Sequence, residues 1–147
     1  MLAGGLAAWP RGAGAQSART LRVGTANGQP RTAPQWVAFV RRMAALGYAE
    51  GRNFVFDHVQ VAGPAAYEPG YREIVARRPD IVVAAGPALS LSSALAATKT
   101  LPIVMIAVDY DPIALGFVAG FARPGGTITG VHLQRVELTG KRLQLLK

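Results

Sequence analysis

Residues Arg78-Pro79-Asp80-Ile81-Val82-Val83-Ala84-Ala85-Gly86-Pro87-Ala88 decide how the rest of the chain is read. Ile81 to Ala85 is wholly apolar and lacks the alternation of a half-exposed strand. Such a run suits a strand buried on both faces, as in a parallel sheet under helices. Gly86 allows a sharp backbone turn, and Pro87 fits a helix start, where a missing N–H costs little. A strand whose carboxyl end opens into a helix amino terminus is where open α/β sheets collect ligands. A second unit of this kind follows, from Leu101-Pro102-Ile103-Val104-Met105-Ile106-Ala107 into Val108-Asp109-Tyr110-Asp111-Pro112.

The chain has 147 residues, enough for one domain with its own core. With no cysteine, disulfides, thiolate chemistry and cysteine-based metal sites are unavailable. The formal charge is +8, but the arginines are scattered and only Arg41-Arg42 and Arg77-Arg78 are adjacent. Scattered arginines without interleaved aromatics read as a solvated surface, so nucleic acid is not expected as a partner. Leu2 to Trp9 is apolar and is followed by Ala13-Gly14-Ala15, which has the shape of a signal-peptidase site. Residues 1–15 are therefore expected to be a signal-peptide remnant, without its positive leading region, and 16–147 the folded part. The alternative for this segment is a disordered Ala/Gly tail.

In chain order, strands are expected at Leu21–Ala26, Phe54–Val61, Ile81–Ala85, Ile103–Val108 and Thr127–His132. Polar residues enter the second, which places it nearer the sheet edge. Helices are expected from Pro34 to Leu46, Tyr71 to Arg78, Leu89 to Thr98, Pro112 to Phe121 and Val136 to Lys147, with Gly63 to Gly70 a loop. In the first helix Trp36, Val37, Phe39, Val40, Met43, Ala44 and Leu46 recur at helical spacing. This alternation predicts an α/β fold: a doubly wound, five-stranded parallel sheet with helices on both faces. The last helix runs to the end of the chain, with Leu138, Leu143, Leu145 and Leu146 in want of a partner surface.

Candidates for chemistry lie in the loops after the strands: Asn27-Gly28, Gly86-Pro87-Ala88 and Asp109-Tyr110-Asp111. In a parallel sheet these share one edge, and helix amino termini there favour a carboxylate or another anion. The alternative is that Gly86 and Asn27 only make turns and Asp111 only caps the helix beginning at Pro112, and for Asp111 the cap is the favoured reading. For Asp109 and Tyr110, binding and turn roles stand equal. His58 and His132 lie far apart with no second ligand type at metal spacing, so neither metal nor cofactor is expected. The glycine fingerprints of dinucleotide and phosphate loops are absent. No Gly-x-Ser-x-Gly elbow surrounds Ser90, Ser92 or Ser93, and catalytic residues are not expected.

Several motifs in register carry a family resemblance. They are Ala7-Ala8-Trp9-Pro10, Leu46-Gly47-Tyr48-Ala49-Glu50-Gly51-Arg52-Asn53, Arg78 to Ala84, Thr98 to Met105, Asp111 to Gly116, Arg123 to Val131 and Glu137 to Lys147. Together they resemble the ABC-transporter substrate-binding proteins related to tryptophan/tyrosine uptake, which have the type I periplasmic-binding fold. The resemblance implies an exported, periplasmic protein that closes two lobes around a small molecule by hinge motion and presents it to ABC permease subunits. This chain matches the first lobe only and is expected to stop before the second. The resemblance puts ligand contacts at Asn27, Gly28, Gly86, Pro87, Ala88, Asp109 and Tyr110, for an amino acid or other small organic anion. Relatives commonly place a threonine near Ala88; the nearest hydroxyl here is Ser90. Two other expectations compete with transport: a stand-alone flavodoxin-like regulatory or interaction domain, and a gene fragment without function of its own.

Overall fold

The structure of the chain is a computed structural model that describes residues 19–134 and, beyond them, Leu138, Thr139, Lys141, Arg142 and Leu145. The signal-like segment and most of the expected last helix lie outside the described residues. Five strands, β1 (Leu21–Asn27), β2 (Phe54–Gln60), β3 (Ile81–Gly86), β4 (Ile103–Val108) and β5 (Ile128–Leu133), form one parallel sheet in the order β2-β1-β3-β4-β5. The doubly wound α/β reading holds, and β2 is an edge strand as its polar residues suggested.

The helices α1 (Pro34–Ala45), α2 (Tyr67–Ala76) and α3 (Ala88–Ala97) divide between the two faces. In α1, Trp36, Phe39, Val40 and Met43 keep an i, i+3, i+4, i+7 spacing and pack on Val23, Phe54, Phe56 and Val83. Val37 and Leu46, read from the sequence as part of that stripe, are exposed. On the other face α2 and α3 bring Tyr71, Ile74, Leu91 and Ala94 onto Ala26, Val82, Ala84, Ile103, Met105 and Ala107. Both faces of β3 are thereby covered, which is why its apolar run needs no alternation.

The ends of the strands opposite the groove described below are tied by charge. Asp80 accepts a hydrogen bond from Arg22 N at 2.8 Å, Asp80 N donates to Arg22 O, and Arg19 pairs with the same carboxylate. Asp57 holds Arg22 at 2.8 Å and Arg77 at 3.2 Å.

Two expected elements differ. A 3₁₀ turn at Pro64–Ala66 leads directly into α2 at Tyr67, so the helix begins four residues before the expected Tyr71. Pro69 is tolerated in the first turn, where its N–H would have no intrahelical partner. The helix expected over Pro112 to Phe121 does not form. Asp111 Oδ1 accepts from Ile113 N at 2.8 Å and Ala114 N at 3.2 Å, so the expected cap is present. A single turn follows and is then closed. Gly116 takes φ +71 and donates to Ile113 O, while Phe117 N donates to Pro112 O. That pair of bonds is the Schellman stop, with glycine at the left-handed position.

Candidate functional site

Because every strand runs the same way, Asn27, Gly86 and Val108 end on one rim of the sheet. The order β2-β1-β3 makes the gap between β1 and β3 the point where the winding reverses, since β1 connects outward to β2 and β2 returns past it to β3. Crevices at such points are the usual ligand sites of open α/β sheets. Here the gap is real in hydrogen-bond terms. The β1–β3 ladder stops at Thr25 opposite Val83, whereas β1–β2 runs to Asn27 and β3–β4 to Gly86.

Side chains take over where that ladder ends. Thr25 Oγ1 donates to Val83 O at 2.8 Å and Asn27 Nδ2 donates to Ala85 O at 2.9 Å. Tyr71 reaches in from α2, with Oη 3.2 Å from Val83 O and 2.7 Å from Ser90 Oγ. All four side chains are buried. Burial pushes the Tyr71 phenol well above the usual tyrosine range, the bonds to Ser90 and Thr25 opposing only part of it. Asn27 Oδ1 also accepts from Gln29 N at 2.9 Å, which shapes the corner after β1.

A groove of about 660 Å³ opens beside this gap, within the range of small-molecule sites. Asn27, Gly28, Gly86 and Pro87 line it, as the sequence reading proposed for a site. Gly86 turns the chain there at φ +115, and α3 starts with no side-chain cap on its free amides. Ala88, Asp109 and Tyr110 are not among the lining residues. Ala88 is the first residue of α3, behind Pro87. Asp109 follows β4 on the same rim in a left-handed conformation, φ 59, and its N–H donates to Leu133 O. Tyr110 turns to the α2–α3 face, where its ring meets Phe117 edge-on, and burial raises its pKa. Ser90, the hydroxyl nearest Ala88, is 1 % exposed and engaged by Tyr71, so it faces away from the groove.

Sequence reasoning missed the other wall. Gln29, Gln35, Trp36, Phe39 and Tyr67 line the groove from the β1–α1 corner, α1 and the start of α2. Its floor is the α1-side surface of β3 and β4: Val83, Ala85, Val104, Ile106 and Val108. No lining residue is charged. The arrangement offers an apolar trough with amide, phenol and helix-terminus hydrogen-bonding groups at one end. It suits holding a molecule with a polar head and an apolar body.

A five-stranded parallel sheet with a groove at its winding reversal places the chain in the class of doubly wound α/β folds. The sequence model of the family described as ABC transporter substrate binding protein matches residues 39–147, and the chain belongs to that family. No curated protein matches the chain. Among solved structures, a conserved domain protein from Vibrio cholerae is 28% identical with a TM-score of 0.73, over 86% of this chain and 43% of that one. An ABC domain in complex with L-Trp from Streptococcus pneumonia is 24% identical with a TM-score of 0.63, over 77% and 38%. The ligand-free, open form of a substrate binding protein with adhesive properties from Clostridium difficile is 22% identical with a TM-score of 0.70, over 85% and 43%. The chain thus spans less than half the length of these proteins.

Proposed function

We propose that the chain is the first lobe of a solute-binding component of an ABC uptake transporter. It works outside the cytoplasmic membrane, where it captures a small organic molecule and delivers it to permease subunits without chemistry on the solute. The observation that carries this reading is an uncharged groove of about 660 Å³ at the winding reversal, in a chain of the substrate-binding family. An amino acid or other small organic anion fits best. Its carboxylate would meet the uncapped amides at the start of α3, helped by the helix dipole. Its apolar part would lie along Val104, Ile106 and Val108 opposite Trp36 and Phe39.

Gly28, Gly86 and Pro87 are the contacts this lobe contributes in that reading, beside Asn27, whose amide is engaged by Ala85 O and Gln29 N. Asp109 would meet the solute only from the far end of the rim, once a second jaw closes, whereas Tyr110, turned to the α2–α3 face, is not a contact in this reading. One jaw leaves most of a ligand in water, so affinity for this chain alone is expected to be in the millimolar range, far weaker than a closed site provides. The test is a thermal-melt screen of a polypeptide carrying a second lobe after Lys147, against amino acids and small organic acids with L-tryptophan among them. A rise in Tm with one chemical class is expected. Melts unmoved across both classes would overturn the reading.

A further inference from the structure

The side chain of Asn27 has both ends committed, which is unexpected for a residue placed at a ligand-binding rim. Its Nδ2 donates to Ala85 O at 2.9 Å across the β1–β3 gap, and its Oδ1 accepts from Gln29 N at 2.9 Å. The residue is 7% exposed although it lines the groove. The two strands each continue past their last shared ladder position, Thr25 opposite Val83. Beyond it β3 carbonyls still face β1 and need donors, because a buried carbonyl left unpaired is costly. Val83 O is served by Thr25 Oγ1 and Tyr71 Oη, and Ala85 O by Asn27 Nδ2. A main-chain N–H in Asn27's place would draw β1 and β3 back to ladder spacing and narrow the gap.

We infer that Asn27 is a positioning residue that sets the width of the β1–β3 gap and so the shape of the solute groove. This rests on the solute-binding reading above and deepens it. The amide works as a spacer: it keeps Ala85 O satisfied while the strand tips stand apart. Through Oδ1 it also fixes the Gly28-Gln29 corner, so the floor and one wall of the groove are set by a single planar group. Thr25 and Tyr71 hold the base of the gap one pair earlier, and among the described residues Asn27 spans it at the rim.

Asn27→Asp tests this, because the isosteric acid can take the amide's place only when protonated. The neutral carboxylic acid donates its O–H to Ala85 O and accepts from Gln29 N with its other oxygen. The carboxylate has no proton for Ala85 O. The charged or titratable groups around the position are Tyr71 and Tyr67 on α2, His58 on β2 and Arg31 after the corner, so the unsubstituted chain is followed over the same pH range as reference. Two readouts are taken on the 147-residue chain: backbone amide NMR signals of Gly28, Gln29 and Gly86, and an NMR titration with L-tryptophan. At pH 7.5 the variant is expected to show displaced rim signals and affinity weaker by about tenfold, the scale of one buried hydrogen bond. At pH 4.5 both are expected to return towards the reference. Asn27→Ser keeps an acceptor for Gln29 N but is too short to reach Ala85 O. It is expected to displace the Gly86 signal at both pH values, and it decides the matter should the acid variant fail to fold. Rim signals of either variant that coincide with the reference at pH 7.5 would overturn the inference, as would displaced rim signals with unchanged affinity. If the unsubstituted chain shows no L-tryptophan shifts even at high millimolar concentration, the solute for this groove is misread. The acid-reversible rim displacement then still decides the spacer role.

Discussion

Ile103, Met105 and Ala107 point from β4 into a face sealed by α2 and α3, whereas Val104, Ile106 and Val108, each one residue on, lie half-exposed beside α1. The difference grows towards β5, where Val131 and Leu133 stand in register with Ile106 and Val108 and are 55% and 45% exposed. One strand thus serves two environments. The α2–α3 face is a close-packed interior with Tyr71, Ile74, Leu91 and Ile103 at 0% exposure. Among the described residues the buried core of the α1 face lies over β1, β2 and β3, Val104 and Ile106 of β4 pack against it only in part, and this partly covered region is the floor of the groove. The α2–α3 side of the sheet is therefore sealed along β4 as well, whereas the α1 side joins a core over β1, β2 and β3 to the proposed binding surface beside it.

The largest effect that could break this division is on packing. Ile74→Ala on the sealed face removes a side chain that contacts Gly24 and leaves a cavity that rigid neighbours cannot fill. A loss of about 3–4 kcal/mol is expected in urea unfolding. Ile106→Ala on the groove floor removes a half-solvated chain and is expected to cost about 1 kcal/mol. Equal losses would mean that the groove floor is as much a part of the core as the sealed face.

The sheet was more legible in the sequence than its surroundings. Ile81 to Ala85 announced a doubly buried strand because every residue there meets a helix or another buried layer. Residues 103–108 read the same way but alternate in burial, and nothing in that run shows that α1 stops short of it. The start of α2 was hidden because Pro64, Pro69 and Gly70 look like loop punctuation. Gly70 is small for another reason: a Cβ there would come within 2.9 Å of Val61 and 3.1 Å of Ala26. Gly116 was the stop signal overlooked after Pro112. In the candidate site, Asn27, Gly28, Gly86 and Pro87 were legible because strand-end turns carry their own residue signature. That Asn27 spends its amide on Ala85 was not, since the partner lies 58 residues away and only the sheet order brings it near. Trp36 and Phe39 read as helix core, and they are, but the same rings also wall the groove.

A smaller effect separates packing from polar bonding on the sealed face. Tyr71→Phe keeps the ring and removes the hydroxyl shared between Val83 O and Ser90 Oγ. Val83 O retains Thr25 Oγ1, while Ser90 loses its 2.7 Å partner. The expected loss is about 1–2 kcal/mol, well below that of Ile74→Ala. A neutral result would assign that face's stability to apolar packing alone.

The smallest expected effect distinguishes the faces by pH. His58 sits on β2 at the α1 side, its ring 5.8 Å from Trp36 and 6.1 Å from Phe56. Burial pushes its pKa below the ordinary histidine value of 6.5, the nearby Arg31 guanidinium pushes it the same way, and backbone hydrogen bonding partly opposes them. Its Nε2 is buried with no hydrogen-bond partner among the described residues, so a proton there would have no acceptor. Glu50 pairs with Arg31, which softens that repulsion, and Asp57 bonds Arg22 and Arg77 one residue earlier on β2. The unfolded chain takes up this proton first as pH falls through 6.5. The folded state follows only at a lower pH, so the contribution is fully present above 6.5 and is lost progressively below it. Tyr71 on the sealed face titrates far outside this window and adds no slope. The urea midpoint is therefore expected to drop between pH 7.5 and 5.5 in the unsubstituted chain and to drop less in His58→Gln. Identical slopes in the two would remove His58 as the cause and leave the open face no more pH-sensitive than the closed one.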